Sequence, residues 1–166
     1  GRTPGEAIRE TMALARHVEA LGFLRYWCAE HHNSAAHAGT APEILIAAIA
    51  ATTSRIRVGS AGVMLPHYAS LKVAEQFRVL DAIAPGRIDL GVGRAPGSDG
   101  RTAFALNPNA REAADNFPTQ VMEVLGWLGE GLPDNHPFRM VTCNPQGETM
   151  PQMWILGSSD YGAQVA

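Results

Sequence analysis

The sequence predicts an α/β fold built on a parallel sheet, and three observations carry that prediction. Four short runs, about residues 24–30, 56–60, 88–93 and 153–157, are apolar along their length, as strands buried on both faces are. Apolar residues at helical spacing fill the stretches between them, so every crossover reads as a helix. Polar residues then cluster just beyond the strands, where parallel α/β folds gather their functional groups.

Thr3-Pro4-Gly5-Glu6 starts the first helix: Thr3 caps, Pro4 takes the first helical position, and Glu6 completes a capping box. Ile8, Met12, Ala15, Val18 and Leu21 recur at helical spacing, and Gly22 closes the helix. The first strand follows, then a loop of small residues from Asn33 to Gly39. Thr40-Ala41-Pro42-Glu43 is expected to start a second helix in the same way. That helix, Ile44 to about Thr53, is apolar on every side and must be covered on every side, one face by the sheet and the other by a helix of this chain or of a second subunit.

Ser54-Arg55 turns into the second strand, which continues through Val63-Met64-Leu65 to Pro66. A third helix spans about Ala69 to Ile83, with Leu71, Ala74, Phe77, Leu80 and Ala84 on its apolar face and Pro85-Gly86 at its end. The third strand, Ile88 to Gly93, opens into a long polar loop from Arg94 to Gly100. Another helix runs from about Asn109 or Phe117 to Leu128. Residues 129–151 are rich in Gly and Pro and read as irregular. The fourth strand, Met153 to Gly157, ends in Ser158-Ser159, and a helix begins near Tyr161. Two architectures fit this order, a barrel of eight βα units and an open doubly wound sheet. Four strands make about half of such a barrel, which takes about 250 residues when complete.

Composition narrows the function classes. Of the 166 residues, 46% are hydrophobic and 17% charged, which excludes a disordered chain. A net charge of −3 gives no electrostatic case for nucleic acid or an anionic membrane. No run of about 18 apolar residues could span a bilayer, and no signal-peptide pattern opens the chain, so a cytoplasmic protein is expected. Gly1 in place of Met, and a helix just begun at Ala166, suggest processed ends or a piece of a longer chain. Cys28 and Cys143 follow no metal spacing. Cys28 reads as a buried reduced thiol, the alternative being a reactive thiol beside His31.

The polar clusters follow the strands in register: Glu30-His31-His32-Asn33, His67-Tyr68, Arg94 with its glycine-rich surroundings, and Ser158-Ser159. A parallel sheet places all four at one end, where they can converge on one ligand. Arg94 can hold a phosphate bidentately, and Ser158 and Ser159 sit at a helix start where free N–H groups add a second phosphate contact. Together they suggest a phosphorylated cofactor. Gly91-x-Gly93 fails as a dinucleotide fingerprint because Pro96 stands at the third glycine position. Adjacent histidines on extended backbone point to opposite sides, which argues against a shared metal. Acid–base or hydrogen-bonding work by one histidine fits better, with a packing role for the other.

These residues resemble a family. Trp27-Cys28-Ala29-Glu30-His31-His32, the stretch from Thr53 to Pro66, Ala74-Glu75-Gln76-Phe77 and the stretch from Pro85 to Gly97 are similar to the bacterial luciferase-like, flavin-dependent monooxygenases. The resemblance covers the whole chain. It implies a TIM barrel, here a single partial domain over residues 1–166 holding about strands two to five and truncated at both ends. It further implies reduced FMN, supplied by a separate reductase, that works with O2 on a small organic substrate. His31 matches the catalytic histidine, with Glu30 orienting the site. Ala61-Gly62 matches a non-proline cis peptide beneath the flavin ring. Arg94 matches the phosphate-binding arginine, and Ser158 and Ser159 match phosphate-side residues. Gly93 stands where light-emitting members carry a reactive cysteine, which argues against bioluminescence. A homodimer through the second and third helices is expected. The alternatives are an F420-dependent hydride-transfer enzyme on the same barrel, or a non-catalytic flavin-binding relative.

Overall fold

The structure, a computed structural model, describes residues 1–129, 131–157 and 160–165. Its elements are α1 (Pro4–Ala20), β1 (Arg25–Cys28), α2 (Pro42–Ala50), β2 (Arg57–Ser60), β3 (Val63–Met64), a 3-10 turn (Leu65–His67), α3 (Ser70–Ile83), β4 (Ile88–Gly93), α4 (Gly100–Leu106), α5 (Ala110–Asp115), α6 (Phe117–Leu128), β5 (Gln152–Leu156) and α7 (Asp160–Val165).

The termini of α1 follow local chemistry. Thr3 Oγ1 accepts from the Glu6 amide, and the Glu6 carboxylate accepts from the Thr3 amide at 2.7 Å. At the other end Gly22 takes φ +85°, a left-handed conformation that suits glycine. Its amide donates to Glu19 O and the Phe23 amide to Val18 O, so the last carbonyls are satisfied. Glu19 also ties α1 to the sheet: Oε1 accepts from the amides of Ser54, Arg55 and Ile56 at 2.7–3.0 Å, just ahead of β2.

All strand pairs are parallel. β1 pairs with β2, β2 with β4, and β4 with β5, while β3 pairs with the end of β4. The expected second strand is thus two pieces, broken at Ala61-Gly62, where the peptide bond is cis. The strands run across the sheet in chain order with no reversal. A doubly wound sheet reverses at its switch point, so the barrel winding is the one observed, as a partial barrel.

Strand alternation separates two faces. Val58, Ile88, Leu90 and Val92 are fully buried against the helices, with Ile46 and Ile49 from α2, Phe77 and Leu80 from α3, and Val121 and Val124 from α6. Each such side chain contributes about 1.5–3 kcal/mol through burial. The other face carries Arg25, Trp27, Arg57, Asp89, Gln152 and Trp154, in register across four strands. Asp89 is fully buried there. It accepts from Arg57 Nη2 at 2.6 Å, Arg25 Nε at 3.1 Å and Trp27 Nε1 at 2.9 Å. Arg25 also lies over the Trp154 ring, 5.2 Å from its centroid. This is a side-chain layer of the kind that fills barrel interiors.

Two expectations are corrected. Thr40 does not cap α2: Pro42 occupies the first turn, so the N-cap falls on Ala41, which has no capping side chain. No helix is expected between Gly100 and Asn109, yet α4 lies there. Asp99 accepts from the amides of Arg101 and Thr102 and starts α4 at Gly100. The α2 surface is covered in part only, since Ile44 is 66% exposed.

Candidate functional site at the strand ends

Three of the four sequence clusters meet at one end of the sheet. The organising group is Glu30, two residues past β1 and 1% exposed. Its Oε1 bonds His32 Nε2 at 2.6 Å and accepts from the Tyr68 hydroxyl at 2.5 Å, while Oε2 accepts from the Met64 amide at 2.9 Å. One carboxylate therefore joins the end of β1, the segment just after Gly62 and the turn ahead of α3. Burial, reinforced by the bond to Glu30 and its charge, pushes the Tyr68 hydroxyl well above the usual phenol range. Tyr68 is thus a proton donor to Glu30 throughout the working pH range.

The adjacent histidines point apart. His32 turns inward to Glu30, and its ring meets that of His67 edge-on with centroids 6.2 Å apart. His31 turns the other way. Its ring stacks on His37 at 4.4 Å and lines a cavity of about 270 Å³ with Trp27, Cys28 and Ala29. The carboxylate of the Glu-His-His motif thus serves its second histidine, a partnership that the motif alone does not reveal.

The loop after β4 is drawn into the same cluster. The His32 amide donates to Gly97 O at 3.2 Å, Asn33 Nδ2 to Asp99 Oδ2 at 3.0 Å, and His67 Nε2 to Pro96 O at 2.8 Å. The bond from Asn33 is the leading reason that the Asp99 carboxyl lies well below the usual range. Arg94, at the head of this loop, is solvent-exposed and borders a second cavity. Ala61 and Gly62 sit between the β1 and β4 ends: the Ala61 amide donates to Cys28 O at 2.8 Å. A Cβ at Gly62 would come within 2.8 Å of Gly91 O, so only glycine permits this backbone contact. Ser158 and Ser159 lie outside the described residues.

Cys28 is buried, and burial pushes its thiol up to about 11. A thiol held protonated in this way is a poor nucleophile, which disfavours the reactive reading of Cys28.

A family model described as luciferase-like monooxygenase matches residues 1–166. The chain belongs to this family. A luciferase-like monooxygenase of Escherichia coli K12 is 46% identical over 166 residues, covering 100% of this chain and 48% of the relative. An N-acetyl-S-alkylcysteine monooxygenase of Bacillus subtilis is 42% identical over 163 residues, covering 98% and 49%. The chain thus spans about half the length of the curated relatives it matches. The crystal structure of apo-MsnO8 superposes with a TM-score of 0.89 at 42% identity, covering 100% of this chain and 48% of that one. Two more distant structures share the fold. The FMN-bound oxygenating component of 3,6-diketocamphane monooxygenase from Pseudomonas putida has a TM-score of 0.70 at 20% identity, covering 93% and 47%. An F420-dependent secondary alcohol dehydrogenase has a TM-score of 0.70 at 17% identity, covering 99% and 52%.

Within this luciferase-like frame, sequence reasoning missed two groups. Asp89 looked like one polar residue in an apolar strand. Its signal was that Arg25, Arg57 and Asp89 fall on one face near the starts of three strands. The partnership of Tyr68 with Glu30 had no sequence signal, because it joins residues 38 positions apart. Among the described residues no helix is long and apolar enough to cross a membrane.

Proposed function

We propose that the whole protein is a monooxygenase that uses reduced FMN and O2 to oxygenate a small organic substrate, and that this chain builds the flavin end of its pocket. The observation that carries the reading is the floor at Gly62 and Gly91. The two glycines project no side chain of their own there and lie against backbone and the Leu156 methyl, between the imidazoles after β1 and Arg94 after β4. Such a floor suits a planar heteroaromatic ring, and a guanidinium at its side suits a phosphate. The residues present therefore fit FMN.

Arg94 would hold the phosphate, and Ser158 and Ser159 are the further phosphate-side residues that the family resemblance implies. His31 would hold or deliver a proton at its imidazole. Glu30 acts one step back. Through His32, Tyr68 and the Met64 amide it fixes the chain on either side of the site, so it is a positioning residue. Ala61 and Gly62 form the surface under the ring. When bound, the reduced flavin supplies the two electrons that activate O2. A separate reductase delivers that flavin.

The exposed apolar residues on α2 and α3 support a homodimer: Ile44, Val79 and Ile83 are 66%, 47% and 48% exposed and line one groove.

The test offers the whole protein reduced FMN and ¹⁸O2 with a panel of small thioethers, ketones and aldehydes, and separately reduced F420. One labelled oxygen atom in a product, formed only with FMN, is expected. The His31→Ala variant should lose roughly 100-fold in turnover or more, with little change in FMN affinity. Substrate-dependent oxidation of reduced F420, without FMN binding, would overturn the reading in favour of hydride transfer. Oxidation of reduced FMN at the buffer rate with no product would favour a non-catalytic relative.

A further inference from the structure

The glycine floor continues one step toward the strand ends. Gly91 and Gly93 follow Asp89 at intervals of two and share its inward face. Met64 follows Gly62 by two residues and pairs with Gly93 across β3 and β4. Its thioether lies at that face: Cε is 3.5 Å and Sδ 3.9 Å from the position a Cβ would take on Gly93. In the loop after β4, the Cβ position of Gly97 is 3.2 Å from the same Sδ. Both neighbours are glycines, so neither carries a side chain to shield the sulfur, and Met64 is half-buried.

Met64 is also joined to the hydrogen-bonded core of the site. Its amide donates to Glu30 Oε2 at 2.9 Å. Gly97, on the other side of the sulfur, accepts from the His32 amide at 3.2 Å. A change of size or polarity at the sulfur is therefore felt by the segment that holds His32. Oxidation is such a change, because it turns an apolar thioether into a polar sulfoxide.

We propose that Met64 is a self-oxidation site, modified when reduced FMN meets O2 at this floor with no substrate to take the oxygen. Reduced FMN gives two electrons and two protons, and the sulfur gives two electrons. The O–O bond breaks, one oxygen atom forms the S=O bond of the sulfoxide, and the other leaves as water. The flavin returns to its oxidised state. The added oxygen crowds the space between Gly93 and Gly97, displaces Gly97 and loosens the His32 amide. Turnover without substrate thus switches the site off, and a methionine sulfoxide reductase restores it. The proposal rests on the monooxygenase reading and goes beyond it by naming a modified residue and the condition that modifies it.

The test runs the whole protein with reduced FMN and ¹⁸O2, without substrate, and with catalase to remove peroxide that escapes into solution. Peptide mass spectrometry then reads each methionine. One ¹⁸O atom is expected on Met64 and none on Met140, which is 86% exposed and reports peroxide in solution. Hydrogen peroxide added without flavin should reverse that order, since exposure then decides. In the flavin-treated protein the His32 amide should lose hydrogen-exchange protection, and methionine sulfoxide reductase should restore it. Met64→Leu should keep that protection through the same treatment. A protein that binds FMN but leaves Met64 unlabelled, or labels it no more than Met140, would overturn the proposal and leave the flavin reading standing. Equal loss of protection in Met64→Leu would overturn the switch. A protein that binds no FMN would remove the flavin reading and the proposal with it.

Discussion

Replacing Glu30 tests whether one buried carboxylate holds the candidate site together. Its Oε1 faces two groups, His32 Nε2 at 2.6 Å and the Tyr68 hydroxyl at 2.5 Å, while its Oε2 faces the Met64 amide at 2.9 Å. Glu30→Gln keeps the volume but replaces one acceptor by a donor. If the amide NH2 takes the Oε2 position, it meets the Met64 N–H donor to donor. If it takes the Oε1 position, Tyr68 and His32 must both become acceptors toward it. Either arrangement leaves at least one buried group badly paired, which costs about 1–3 kcal/mol. Glu30→Ala orphans all three groups and opens a void. By analogy with removing one partner of a buried pair, it should cost about 3–5 kcal/mol. Urea unfolding of the whole protein, with the slope unchanged, measures the loss. Hydrogen exchange at the Met64 amide localises it, since its protection should fall in both variants. A Glu30→Gln protein within about 0.5 kcal/mol of wild type, with Met64 still protected, would refute the reasoning.

Three further outcomes follow from other parts of the molecule. Asp89→Ala leaves Arg57 and the Trp27 indole without their buried acceptor, and should destabilise the protein by about 3–5 kcal/mol in thermal or chemical unfolding; a loss below about 1 kcal/mol would contradict the buried network. Three backbone amides draw Glu19 down from the ordinary 4.5 to about 2, so its stabilisation is complete above 4.5 and is lost as pH falls from there toward 2. Glu19→Gln should flatten stability against pH across that window, and an unchanged slope would contradict the assignment. Ile44→Glu places a charge in the exposed α2–α3 groove, and light scattering should show the whole protein shifting from dimer toward monomer.

The fold was legible in the sequence because its signals are local. Thr3, Pro4 and Glu6 announce the start of α1, and the structure reproduces that cap bond for bond. The third sequence strand, Ile88 to Gly93, has the same limits in the structure. Misreadings came where one local signal outweighed another. Thr40 resembled Thr3, but Pro42 set the register of α2 one residue later. The loop after Arg94 was read from its polarity, yet the same Asp99 that makes it polar caps α4. The site was legible as a place more than as a network. The strand-end rule located Glu30, His67 and Arg94, whereas the choice of His32 over His31 as partner of Glu30 depends on backbone direction past β1.

The central claim is a flavin phosphate held at Arg94, and titration of the whole protein with FMN tests it most directly. Urea unfolding of wild type and Arg94→Ala is the control that both proteins are folded. The variant should bind FMN at least tenfold more weakly, on the order of the 1.5–3 kcal/mol that a hydrogen bond to a charged group contributes. It should bind riboflavin, which lacks the phosphate, no worse than wild type does. Equal FMN affinity in the two proteins would contradict the account.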